Sequence, residues 1–119
     1  MGNNCEPWII DYYYSDRGQC PVEDFIMTLP MNQIARARDL IKLLEEFGTK
    51  LGYPHARSLK GHKPLRELKP TSNRIIYFPN KGRKMVLLHA FKKTNKKKTK
   101  KEIVKAERRM RIIMEKENG

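Results

Sequence analysis

Short apolar runs separated by turn residues are the main pattern of this chain, and they predict a small β-sheet. The first run, Trp8–Tyr14, is β-branched and aromatic and ends at the turn residues Ser15–Gly18, which is typical of a strand. Three more runs follow in the second half, at 65–69, 74–79 and 84–92. Pro70–Asn73 and Asn80–Arg83 separate them with residues that favour hairpin loops, so we expect antiparallel pairing of these three strands.

Other segments repeat apolar residues every three or four positions and predict three helices. Pro21 suits a first helical turn, and the acidic Glu23 and Asp24 favour the positive end of the helix dipole. This short helix should extend to Leu29. A second helix and a closing helix carry the apolar stripes Ile34, Ala37, Ile41, Leu44 and Ile103, Ala106, Met110, Ile113.

The resulting order of elements is one strand, two helices, three strands and a closing helix, which predicts an α+β fold. The second helix should end at Gly48, and residues 50–63, with their glycines and Pro54, should form an irregular connector. With 119 residues and 39% hydrophobic content, the chain is long enough for one core and short for two. We therefore expect a single domain over residues 1–119.

The net charge narrows the range of partners. Lys and Arg number 26 against 13 Asp and Glu, for a formal charge of +13. Such a domain attracts phosphate polymers, so nucleic acid is the first candidate partner, although solubility or an acidic protein partner would also account for the charge. Lysine occupies seven of the ten positions from Lys92 to Lys101, a run that suits either a solvated face or a nucleic-acid contact.

Several classes of protein are disfavoured by what the sequence lacks. No apolar run approaches the roughly 20 residues of a membrane helix, and no secretory signal begins the chain, so we expect a cytoplasmic protein without a membrane partner. Cys5 and Cys20 could pair, but free thiols are expected in a reducing cytosol. No His or Cys spacing suggests a metal site and no Gly-rich phosphate loop appears, so we expect neither metal nor cofactor.

Five short motifs follow one another in the second half of the chain: Leu59–Gly61, Leu65–Leu68, Arg74–Phe78, Leu87–Thr94 and Glu102–Ala106. Their order, together with that of the predicted elements, resembles the RelE/ParE toxin superfamily of bacterial toxin–antitoxin systems, and its phage-derived HigB-like branch in particular. The resemblance covers residues 8–113. It implies a RelE-like fold, with a small antiparallel sheet packed against two N-terminal helices and a C-terminal helix.

The same resemblance implies an activity and partners. Members of the family are toxins of type II toxin–antitoxin systems that act as metal-independent mRNA endoribonucleases, often on the ribosome, and so inhibit translation. Each is neutralised by a cognate antitoxin with a helix-turn-helix DNA-binding domain. We expect the first two helices and the closing helix to line an apolar groove that receives an antitoxin segment.

Metal-free RNA cleavage needs a base for the ribose 2′-OH, cations for the phosphorane and an acid for the leaving oxygen. Arg66 and Arg74 lie in neighbouring predicted strands, and a hairpin could bring both guanidiniums to one face for phosphate contact. The resemblance implies that Arg74 is the family's arginine at the start of its strand, and that Lys93 occupies a basic position used to hold the scissile phosphate. The alternatives are an ion pair of Arg74 with Glu67 or Glu102, and a solvated Arg66.

The other candidates surround these residues. We expect Lys92 to contribute to catalysis as well, and repulsion among crowded lysines could leave one of them uncharged as the base. RNA contacts are expected from Lys60, His62, Lys69, Lys96, Lys97 and Lys98. His62 is a further candidate for the base, whereas His89 should be a core histidine on one face with Leu87 and Phe91.

Two other functions remain open. A ParE-like toxin would share the fold but act on DNA gyrase, and would not need cations around a scissile phosphate. A noncatalytic RNA- or DNA-binding protein would need only the charge.

Overall fold

A five-stranded sheet with helices on both faces forms the protein, as seen in a computed structural model that describes residues 6–118. The elements are β1 (Ile9–Tyr12), α1 (Pro21–Ile26), α2 (Met31–Phe47), β2 (Ala56–Ser58), β3 (Arg66–Leu68), β4 (Asn73–Asn80), β5 (Lys84–Lys92) and α3 (Lys96–Asn118). The sheet order is β1-β5-β4-β3-β2. The mixed α+β class is therefore as predicted.

The sheet is antiparallel from β2 to β5, but β1 runs parallel to β5. The predicted meander of three strands is confirmed, whereas the prediction of a wholly antiparallel sheet is wrong for β1. Ile9 pairs with Lys84 and Tyr12 with Leu87, across most of the chain. Turn residues report only pairing between neighbouring strands, so they carry no information about the direction of this distant pair.

The connector predicted as irregular contains strand β2, so that prediction is wrong over Ala56–Ser58. Ala56 pairs with Leu68 and Ser58 with Arg66 at the edge of the sheet. Three residues are too few to show an alternating pattern, and the backbone hydrogen bonds that hold them do not depend on the side chains.

The two faces of the sheet carry two separate cores. On one face Ile75, Tyr77 and Leu87 pack against α1 and α2. On the other, Ile76, Phe78 and Leu88 pack against α3 through its buried stripe of Ile103, Ala106 and Met110, as the periodicity predicts. Because α3 lies on the opposite face from α1 and α2, these helices cannot line one groove, and that prediction is wrong.

A β-bulge in β5 changes which side chains reach α3. Ile76 pairs with His89 and Tyr77 with Leu87, so Leu88 has no partner in β4. Leu88 and His89 both lie on the α3 face, whereas Leu87 lies on the α1–α2 face. Strict alternation predicted one face for His89, Leu87 and Phe91; that prediction is wrong for Leu87, because the bulge separates it from the other two.

The helix boundaries follow local chemistry. α1 ends at Ile26, three residues before the predicted Leu29. α2 ends before Gly48, as predicted; Gly48 has a φ of 55°, and a Cβ there would lie 2.0 Å from Trp8 Nε1, so only glycine fits. α3 begins after Asn95, whose side-chain oxygen accepts a hydrogen bond from the Lys98 backbone N–H at 2.9 Å.

The structure bears on two further predictions, the absence of a membrane helix and the state of the cysteines. None of α1, α2 and α3, over residues 6–118, has a stretch long and apolar enough to cross a membrane. Cys20 is buried, but Cys5 lies outside the described residues, so the predicted free state of both thiols is not tested.

Candidate nucleic-acid interface

A cleft of about 300 Å³ opens on the α3 face, between the β2–β3 segment and the first turns of α3. It is lined by Arg57, Leu59, Lys60, His62, Lys93, Lys96, Thr99, Lys100 and Ile103. Five of these nine residues are Lys or Arg, and none of the nine is acidic. The volume is at the small end of ligand-binding sites, and the charge selects an anion.

The helical side of the cleft places positive charges at the start of α3. Lys96, Lys100 and Ile103 follow a helical spacing of four and three and so share one stripe. The first turn of α3 contains no acidic residue. Ammonium groups near the positive end of a helix dipole destabilise the helix, and a bound anion would compensate this unfavourable arrangement.

The strand side of the cleft is held by a buried carboxylate. Glu67 is 2% exposed, and the Arg57 Nε donates to its Oε2 at 2.6 Å. The Arg57 side chain remains 53% exposed and lines the cleft. Glu67 therefore fixes the orientation of Arg57 from below, without reducing its access to solvent.

Arg74 lies on the same face but is not among the residues that line the cleft. Its Nε lies 3.9 Å from Glu67 Oε1, and its Nη1 donates to the carbonyls of Thr71 and Asn73 at 2.8 Å each. Burial lowers the pKa of Arg74, while the nearby Glu67 carboxylate raises it. These contacts match the predicted alternative of a strand-end ion pair, and a role of Arg74 in chemistry stays a prediction.

Arg66 is on the opposite face of the sheet, so the prediction that it joins Arg74 on one face is wrong. Arg66 pairs with Tyr77 across β3 and β4, and its guanidinium donates to Tyr77 Oη at 3.1 Å and to the Leu51 carbonyl at 3.0 Å. Burial raises the pKa of the Tyr77 hydroxyl, with the Arg66 hydrogen bond acting in the opposite direction. Strand register decides the face, and hydropathy alone does not give it.

The structure brings together only some of the predicted basic residues. Those that line the cleft are Lys60, His62, Lys93 and Lys96. Those that do not are Lys69, Lys92, Lys97 and Lys98. Lys92 pairs with Asn73, whose amide donates to Gln33 of α2 at 3.1 Å, so alternation places Lys92 on the other face. The adjacent residues Lys92 and Lys93 are thus separated by the sheet.

His62 is held in the cleft by its loop and by α3. Its backbone N–H donates to the Leu59 carbonyl at 3.0 Å, and its own carbonyl accepts from Leu65 N–H at 2.9 Å. Its Nδ1 lies 3.0 Å from Oε2 of Glu107. Both side chains are about one third exposed, at 35% and 31%. The ring is therefore oriented and still reachable from solvent.

His89 is built into the core, as predicted. It is 8% exposed, its Nε2 is hydrogen-bonded to Glu102, and its Nδ1 lies 2.7 Å from Arg109 Nη1. Its ring stacks on Phe91 at 5.8 Å. Burial lowers the pKa of His89, with the Glu102 hydrogen bond acting in the opposite direction. Arg109 can only donate, so Nδ1 accepts and Nε2 carries the proton.

Sequence reasoning missed three residues of this region: Arg57, Lys100 and Glu107. Lys100 and Glu107 stand four residues after Lys96 and Ile103, so helical periodicity could have placed them on the same stripe. No local signal could have found Arg57, because its strand was not predicted.

Other concave regions are larger but differ in charge. A cavity of about 630 Å³ along α2 includes Asp39, Glu45 and Glu46, and one of about 650 Å³ beside α1 includes Glu23 and Asp24. Carboxylates make both unsuitable for a polyanion. Within residues 6–118, no three His, Cys, Asp or Glu side chains are grouped so as to hold a metal ion.

Comparison with known proteins assigns the family. No curated protein matches the chain. The family model described as "Phage derived protein Gp49-like (DUF891)" matches residues 24–111, a range that contains every residue lining the cleft and also Glu107. The chain therefore belongs to the phage-derived Gp49-like family, which is related to the RelE-type toxins.

Proposed function

We propose that the protein is the toxin of a type II toxin–antitoxin system of the HigB-like kind, and that it cuts mRNA as a metal-independent endoribonuclease. The observation that carries the proposal is the cleft, in which five cationic side chains surround a volume of about 300 Å³ without an acidic neighbour in the lining. Membership of a RelE-type family supports a toxin.

The cleft suits the electrostatics of RNA cleavage. When a ribose 2′-OH attacks the adjacent phosphate, negative charge accumulates on the phosphorane, and fixed cations around it lower the barrier. Lys96 and Lys100 would contact the phosphate from α3, and Lys60 and Arg57 from the strand side. Glu67, which also lies near Arg74, keeps Arg57 in place for this contact.

The proposal includes partners and a compartment. The substrate is mRNA, bound on the ribosome in the cytoplasm, and cleavage inhibits translation and arrests growth. A cognate helix-turn-helix antitoxin neutralises the toxin by covering the cations of the cleft with acidic side chains. Because α3 stands alone on its face of the sheet, the antitoxin segment would approach this face rather than a groove shared by all three helices.

The test compares two double variants that remove the same charge. Lys93→Ala with Lys96→Ala removes two of the five cations that line the cleft, whereas Lys92→Ala with Lys97→Ala removes two neighbouring lysines outside it. Each protein is expressed by induction, and mRNA 5′ ends are mapped. We expect new ends and growth arrest with the wild type and the control pair, and neither with the cleft pair.

Other outcomes would contradict the proposal in distinguishable ways. Growth arrest without new mRNA ends, together with loss of DNA supercoiling activity, would indicate gyrase inhibition. RNA retained by the purified wild-type protein without cleavage, with or without ribosomes, would indicate a noncatalytic binding protein. If both double variants cleave mRNA as well as the wild type does, the cleft is not the active site.

A further inference from the structure

The cleft contains one imidazole whose hydrogen bond fixes its tautomer. The Glu107 carboxylate can only accept, so His62 Nδ1 donates to it over 3.0 Å, and in the neutral ring the lone pair then resides on Nε2. The same arrangement of carboxylate, imidazole and reacting hydroxyl prepares a histidine as a general base in hydrolases of unrelated fold.

We propose that His62 is the catalytic residue that takes the proton from the ribose 2′-OH, and that Glu107 is its positioning residue. This inference rests on the proposed endoribonuclease function and names the group that performs its first step. Of the nine lining residues, His62 alone carries an imidazole, the side chain best suited to accept and return protons near neutral pH.

The surroundings of His62 match this role. The charged groups near it are Glu107 and two lysines from α3, Lys93 after β5, Lys60 from its own loop and Arg57 from β2. The cations would hold a phosphate beside the ring, and Glu107 would stabilise the imidazolium formed during proton transfer. The backbone bonds of His62 to Leu59 and Leu65 limit its movement.

The proposed step is a transesterification. His62 Nε2 takes the 2′-OH proton as the 2′ oxygen bonds to phosphorus, and the bond between phosphorus and the 5′ oxygen breaks. The leaving 5′ oxygen takes a proton from a lysine ammonium of the cleft, and the imidazolium returns its proton to that lysine. The products are a 2′,3′-cyclic phosphate and a 5′-hydroxyl, so atoms and protons balance.

The first test measures cleavage of an mRNA that the purified wild type cuts, with ribosomes present. His62→Ala should lower kcat by about 10²- to 10⁴-fold, with KM little changed. Added imidazole should restore part of the rate, because it can enter the space left by the ring. His55→Ala is the matched control; this histidine has similar partial exposure but does not line the cleft, so the rate should not change.

The second test concerns Glu107. Glu107→Gln should lower kcat by about 10- to 100-fold, and Glu107→Asp should recover part of that loss. Glu115→Gln, an exposed change further along α3, is the control. Melting temperatures within a few degrees of the wild type would show that the losses are not due to unfolding.

Each failure has a separate meaning. If the wild type cuts mRNA and His62→Ala cuts it equally well, His62 is not the base, while the proposed function stands. Products with 5′-phosphates would likewise overturn the proposed step, because they require attack by water. If the wild type cuts no mRNA, the proposed function and this inference fail together.

Discussion

Two histidines, each paired with a glutamate of α3, have very different surroundings. His89 is bonded to Glu102 and His62 to Glu107. The second nitrogen of His89 is occupied by Arg109, and the residue is 8% exposed. The pair formed by His62 and Glu107 is about one third exposed and borders the cleft. The same pairing of histidine and glutamate therefore serves packing at His89, where both ring nitrogens are bonded, and leaves a ring open to proton exchange at His62, where the side chain is partly exposed.

The backbone explains why the two sites differ. The bulge at Leu88 turns His89 toward α3 in the middle of a strand, where neighbouring strands and the helix exclude water. His62 lies instead in the tight loop between β2 and β3, which places it at the edge of the α3 core. Glu107, five residues beyond Glu102 on the same helix, then meets a histidine in a more open environment.

The largest expected effect is on stability. His89→Ala would leave Arg109 and Glu102 part-buried without their shared partner and would open a cavity. We expect a loss of about 2–4 kcal/mol in the free energy of unfolding. His62→Ala breaks a partly exposed pair and should cost less than about 1 kcal/mol. Urea denaturation of both variants measures the difference; equal losses would show that the two sites are energetically alike.

A smaller effect is expected from the glutamates. Glu102→Ala removes the acceptor of a buried ring and should cost about 1–2 kcal/mol, because the His89 N–H is left without a partner. Glu107→Ala should cost no more than about 0.5 kcal/mol. The same denaturation experiment applies, and a larger loss for Glu107 than for Glu102 would reverse the comparison.

The smallest expected effect is a change of stability with pH. Burial holds the pKa of His89 below its ordinary value of 6.5, so the unfolded chain binds the proton more readily than the folded one. The stability due to neutral His89 is present above pH 6.5 and is lost as the pH falls toward the lower folded pKa. His89→Gln should flatten this slope between pH 7 and 5, whereas His55→Gln should leave it unchanged; unfolding midpoints at each pH measure it. A slope that survives His89→Gln would have another origin.

Part of the fold could be predicted because its signals are local. The stripe of Ile103, Ala106 and Met110 predicted α3 and its buried side, and the hairpin residues predicted the antiparallel order of β3, β4 and β5. The strand β1 was predicted, but its parallel pairing with β5 and the edge strand β2 could not be, since pairing between distant or very short segments leaves no periodic pattern.

The candidate site was predictable where its basic residues and its histidine stand in recognisable sequence motifs. Lys60, His62, Lys93 and Lys96 were identified, and Lys100 and Glu107 lie on the helical stripe of Lys96. The separation of Arg66 from Arg74 depends on register: Arg66 opposes Tyr77, whereas Arg74 opposes Phe91. A slip of one position between β3 and β4 would have placed both arginines on one face, and composition does not distinguish the two cases.

The lysines at the start of α3 have a consequence for competition between partners. With no acidic residue in the first turn, this surface accumulates small anions from solution whenever the cleft is empty. If the proposed function holds, RNA or an acidic protein segment would displace those ions, and the release of the ions into solution would favour binding of either one. Toxin neutralisation would then be a form of ion exchange, in which rising salt weakens the hold of both partners and the outcome depends on which carries the denser negative charge.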